Sequence, residues 1–122
     1  MPSSTFEKYG GFAAVSRVVM TFYELVLDSD EVGHHFDDID MPRLIDHQTK
    51  FISSLMGGPS AMSDERLRAV HQSVPITDKD FDEIGRLLAE AMTQHGMSDE
   101  DITQVVASVD AKRSLIVNRT AA

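Results

Sequence analysis

The sequence predicts a single all-α domain, and three observations carry that reading. Apolar residues recur at spacings of three and four along nearly the whole chain, with no sustained strand-type alternation. Glycine and proline cluster between these stretches, where they stop one helix and let the next begin. The length, 122 residues, suits one hydrophobic core and shows no internal repeat or interdomain linker. Residues 1–122 are therefore read as one domain, with no room for a second catalytic domain or a built-in reductase.

Each element follows from its local signals. Gly10-Gly11 breaks the chain, and a helix runs from about Phe12 to Leu27 with Val15, Val18, Val19, Phe22, Val26 and Leu27 on its apolar spacing. Asp28-Ser29-Asp30 ends it. Glu31 to Asp38 reads as one or two helical turns anchored by Val32 and Phe36. Asp40 can accept from first-turn amides and Pro42 needs no partner there, so a helix starts at Met41 and runs to about Met56, stopped by Gly57-Gly58-Pro59. Ser63-Asp64-Glu65 opens a short helix that Pro75 ends, its acidic residues at the positive end of the dipole. Thr77 and Asp80 form a capping box with Asp in the place of Glu, opening a helix to about His95, with Gly96 as its stop. Ser98 caps a last helix carrying Ile102, Val105, Val106, Val109, Leu115 and Ile116. The sum is about four main helices plus short ones.

Composition narrows the function classes. Eleven Lys and Arg against 20 Asp and Glu give a formal charge of -9, which repels phosphate backbones and speaks against nucleic acid as a partner. The absence of cysteine excludes disulfides, thiolate catalysis and cysteine-held zinc or iron–sulfur clusters. No basic, apolar leader opens the chain and no apolar run nears the ~18 residues of a membrane span, so the expectation is a soluble cytoplasmic protein. The carboxylates of Asp37-Asp38-Asp40 and Ser98-Asp99-Glu100-Asp101 coincide with helix starts, where capping explains them, and calcium-loop spacing is missing. His34 and His35 are adjacent and do not share a helix face. No zinc-protease, nucleophile-elbow, phosphate-loop or dinucleotide motif occurs.

Polar residues inside apolar stripes are the informative ones. Leu44, Gln48, Phe51 and Leu55 share one face of the helix that starts at Met41, so Gln48 presents an amide to an apolar surface. Tyr23 lies one turn from Val19 and from Val26 and Leu27. His71 falls among Leu67, Val70 and Val74. Taken singly, a tyrosine there anchors a core, a glutamine satisfies a helix end, and a histidine packs without a metal. Taken together they describe a cavity with one basic nitrogen and a Tyr/Gln donor pair, a pattern that suits a metal-bound diatomic ligand. Spacing alone does not show that they face each other.

Several segments resemble the truncated haemoglobins of group I. Phe6-Glu7-Lys8-Tyr9-Gly10-Gly11 is similar to the family's opening, as is Thr21-Phe22-Tyr23-Glu24-Leu25-Val26-Leu27 followed by Phe36. Met41-Pro42-Arg43-Leu44-Ile45-Asp46-His47-Gln48, ending at Gly57-Gly58-Pro59, resembles the distal helix. Val70-His71-Gln72, then Ile76-Thr77-Asp78 and Phe81, resembles the proximal segment and the helix after it. The order and spacing of these segments make the resemblance specific, and it spans about Thr5 to about Val109.

The resemblance implies a two-over-two helical sandwich around noncovalent b-type haem, with His71 as proximal iron ligand and Phe36 against the haem face. Tyr23 and Gln48 match the distal donors, and Leu44 stands where many globins place a distal histidine. Phe51, Leu55, Leu67, Val70, Phe81 and Ile84 match pocket lining, while Arg43, Lys50 and Arg68 are candidates for the propionates or for plain surface charge. Two roles are open to His47: an exposed or propionate-bonding side chain, or a sixth iron ligand. Ile52 lies where some members carry a bulky aromatic gate in a ligand tunnel. Ala111-Lys112-Arg113-Ser114 lacks the histidine that binds haem covalently in a few relatives. The implied function is reversible binding of O2, with CO and NO as further ligands. NO dioxygenation with an external reductase and six-coordinate electron transfer or redox sensing through His47 are the alternatives, and a helical interaction module without haem is the remaining one.

Overall fold

The computed structural model describes residues 4–30, 32–33, 40–58, 64–71 and 76–117; for residues 66, 70 and 71 it describes the backbone alone. Among the described residues seven helices follow in order: α1 Thr5–Lys8, α2 Gly11–Leu27, α3 Met41–Leu55, α4 Asp64–His71, α5 Asp78–Gln94, α6 Asp99–Asp110 and α7 Arg113–Ile116. There is no β-strand among the described residues. The turns expected at Glu31 to Asp38 lie outside them except for Val32 and Gly33, both buried, so Phe36 is not described; nor are Pro59, Val74 and Pro75.

The capping signals act as the chemistry of free first-turn amides requires. The Asp40 carboxylate accepts from the Arg43 amide at 3.2 Å. Thr77 Oγ1 accepts from the Asp80 amide at 3.1 Å while the Asp80 carboxylate accepts from the Thr77 amide at 3.3 Å, a reciprocal box. Ser98 caps α6 through the Asp101 amide. Gly96, with φ +80°, turns the chain after α5 in a conformation a side chain would strain.

Two helices form each layer. α2 packs on α3, α5 packs on α6, and the pairs meet through α2 with α5 and α3 with α6. The shared core holds Val15, Val19, Phe22 and Val26 of α2 against Phe51 and Ile52 of α3 and Leu88, Ala91 and Met92 of α5.

Two features depart from the sequence expectation. Thr5–Lys8 forms a helical turn capped by Ser4, and it docks on the end of α3, where the Phe6 amide donates to the Met56 carbonyl at 2.9 Å. Gly58 makes this approach possible, because a Cβ there would stand 2.8 Å from the Ser53 carbonyl oxygen and 3.0 Å from the Phe6 ring. The expected last helix is two: α6 ends at Asp110, and Leu115 and Ile116 belong to α7.

The N-terminal turn is also latched to α6. The Asp101 carboxylate accepts from Lys8 Nζ at 2.7 Å and from the Tyr9 hydroxyl at 2.6 Å, and Tyr9 in turn accepts from the Ser98 amide at 3.0 Å. These donors, Lys8 foremost and then Tyr9, hold the Asp101 carboxyl at about 2, below its usual 3.8. A carboxyl depressed in the folded state stabilises the fold above its unfolded pKa and stops doing so as pH falls through its folded one. Asp101→Asn will therefore melt below the wild type at neutral pH. Thermal melts across pH should show that difference closing between 3.8 and about 2.

Candidate functional site

Tyr23 sits on the buried face of α2, with 3 % of its surface exposed, and its ring meets Phe22 edge-on at 4.8 Å. Burial pushes its phenol pKa well above the ordinary tyrosine range, so it remains a neutral hydrogen-bond donor at physiological pH. α2 lies against α3, whose apolar stripe runs through Leu44, Phe51 and Leu55 with Gln48 among them. Phe51 is buried; Leu44, Gln48 and Leu55 are half-buried.

The remaining candidates lie on α4 and α5. Leu67 is buried in the core, Arg68 is exposed, and His71 is the last residue of the helix; the side chains of Val70 and His71 lie outside the described residues. Phe81 is buried at the start of α5, and Ile84 is half-buried one turn on. Tyr23, Phe51, Leu67 and Phe81 thus share one core with Leu44, Leu55 and Ile84 packed against it. Arg43, His47 and Lys50 remain exposed on α3, and Lys50 pairs with Asp46 at 3.0 Å.

Among the described residues α4 has its main packing on α7 and not on α3. The α3 stripe stays half-open at Leu44, Gln48 and Leu55. A partly uncovered apolar stripe that carries an amide, a neutral phenol on the neighbouring helix, and a helix ending in histidine suit a flat apolar group with a metal centre. No cluster of three or more His, Asp or Glu that would hold a bare metal ion occurs among the described residues. The donor set fits haem.

Two features near the site carried no clear sequence signal. A cavity of about 150 Å³ lies among α2, α3 and α5, walled by Ala14, Val15, Val18, Ile52, Met56 and Met92, with Met97, Tyr9, Arg17 and His95 around it. Ile52, the expected gate position, is part of that wall. These residues read as ordinary core in the sequence, since a void is a property of packing and not of pattern. Ser53 is wholly buried and its hydroxyl has no hydrogen-bond partner among the described residues. Such an unsatisfied group costs about 1–3 kcal/mol.

An all-helical two-over-two sandwich, with a tyrosine buried in its core, has the architecture of a globin of the shortened kind. The family model for bacterial-like globins matches residues 4–118, and the chain belongs to that family. A group 1 truncated haemoglobin of Tetrahymena thermophila is 31% identical over 110 residues, covering 90% of this chain and 91% of the relative. The truncated haemoglobin of Tetrahymena pyriformis in its Fe(III) form superposes with a TM-score of 0.87 at 27% identity, covering 96% of this chain and 100% of the other. The two-over-two haemoglobin of Synechococcus sp. PCC 7002, in the cyanomet state with covalently attached haem, gives 0.86 at 32% identity with the same coverage. The chain is accordingly a haem protein.

The burial of Tyr23 has a direct spectroscopic consequence. Its phenol will not ionise while the native fold persists, so Tyr23→Phe will leave the tyrosinate absorbance titration of the native protein unchanged. A native titration step lost in the variant would show that the hydroxyl is open to solvent.

Proposed function

We propose that this chain binds O2 reversibly, and CO and NO as further ligands, at haem held noncovalently with His71 as the proximal ligand. The observation that carries the reading is Tyr23, a phenol kept neutral by burial on the helix packed against the Gln48-bearing stripe. Haem, when bound, would supply an iron able to take a diatomic gas and to place partial negative charge on its outer atom.

The chain's residues do the rest. The Tyr23 hydroxyl and the Gln48 amide, each carried on a long helix, would donate hydrogen bonds to that charge. Leu44, Phe51 and Leu55 exclude water and so strengthen those bonds. His47 is exposed in this structure, which supports a place at the pocket rim over a sixth bond to iron. No histidine stands in the 111–114 segment, which supports haem held without a covalent link. Arg43 and Arg68, both exposed, are at liberty to meet the propionates.

A hydrogen bond to a charged acceptor contributes ~1.5–3 kcal/mol, which slows ligand escape by ~10–100-fold. Tyr23→Phe should therefore raise the O2 dissociation rate by about that factor and the CO rate by much less, because bound CO carries less charge. Equal effects on both gases in stopped-flow measurements would sink the donor role. Ferrous spectra should show a broad five-coordinate band, absent in His71→Ala and unaltered in His47→Ala. Sharp split bands that vanish in His47→Ala would instead make the protein six-coordinate. Rapid loss of the oxygenated spectrum on adding NO, restored by an external reductase, would move the assignment to NO dioxygenation.

A further inference from the structure

The break between α6 and α7 sends two adjacent cations in different directions. Lys112 Nζ reaches Asp64 Oδ1, on the first residue of α4, at 2.7 Å. Arg113 gathers three carboxylates: Nη1 donates to Asp78 at 2.8 Å, Nη2 to Asp82 and to Asp110 at 2.8 Å, and Nε to Asp110 at 3.1 Å. Its guanidinium also lies 4.6 Å from the centre of the buried Phe81 ring. Both cations are less than a third exposed, and α7 packs on α4 and on α5.

α4 is eight residues long, too short to persist as a helix without tertiary support. Among the described residues α7 gives much of that support, beside the core contacts of Leu67, and α7 is itself tied by Arg113 to the first turns of α5. We infer that Lys112 and Arg113 are positioning residues that clamp α4 to the α5–α6 pair, and so set how firmly His71 is presented to the haem iron. The inference rests on His71 as the proximal ligand. The clamp is electrostatic in origin: without Arg113, Asp78, Asp82 and Asp110 lose their shared counter-charge and α7 is no longer drawn to α5. A lysine at 113 keeps the charge but not the planar fork, and restores only part of the hold.

The test uses haem-loaded Arg113→Met, Arg113→Lys and Lys112→Met. Hydrogen exchange of residues 64–71 is followed beside the iron–imidazole stretching band of the ferrous protein. Arg113→Met should speed α4 exchange by about tenfold with α2 and α3 unchanged, shift or broaden the band, and be partly reversed in Arg113→Lys. Lys112→Met should act in the same direction. Raising salt to ~1 M should loosen α4 in the wild type and add less in Arg113→Met, where only the Lys112–Asp64 pair is left to screen. Unchanged α4 exchange in both methionine variants, or an equal rise in every helix, would overturn the clamp. Should the stretching band survive in His71→Ala, the proximal assignment falls, while α4 exchange in Arg113→Met still decides the clamp by itself.

Discussion

Burial of one face of α2 is the constraint on which the other elements depend. Val19 and Val26 have no exposed surface, and Val15, Phe22 and Tyr23 continue the same face. Each fully buried side chain of this size contributes about 1.5–3 kcal/mol, so a rotation of α2 that opened the stripe would cost more than any surface contact returns. α2 touches α1, α3 and α5, which ties both layers to its orientation. Tyr23 is carried on that face, so its place in the core follows from a helix held by both layers.

The helices that carry the candidate residues are therefore built differently. Those bearing Tyr23 and Gln48 are long and packed against each other. The one ending in His71 is short and packs mainly on α7, beside the ion pairs of Lys112 and Arg113. Single exposed ion pairs contribute little, but Arg113 is less than a third exposed, stacks on Phe81 and serves three carboxylates at once. The chain's excess of acidic residues supplies those partners.

Sequence signals that act within one turn were readable. Asp40, the Thr77–Asp80 box, Ser98 and Gly96 each mark the helix end at which they stand, because a free amide or a left-handed turn needs only local residues. The depth of Tyr23 was readable from its neighbours on the stripe. The break at Ala111-Lys112 was not: Val109 and Ile116 keep the helical period straight across it, and apart from Asp110 the ion-pair partners of Lys112 and Arg113 lie 31 to 48 residues away. The latch of Tyr9 to Asp101 spans 92 residues and is equally invisible in a local pattern. The exposure of Arg43, His47 and Arg68 depends on which way a helix faces its neighbours, which only the assembled layers decide.

The pocket beside Ile52 has a further consequence, in how much change the core accepts. About 150 Å³ of space between α2, α3 and α5 opens partly to the outside, and Val15, Val18, Ile52 and Met92 of the core stand at its walls. A larger side chain at Val18 or Ile52 can grow into that space, whereas at Val19 or Val26, which have no exposed surface, it would have to push neighbours aside. Tolerance of bulk is thus uneven along one helix face, set by where the core meets this opening.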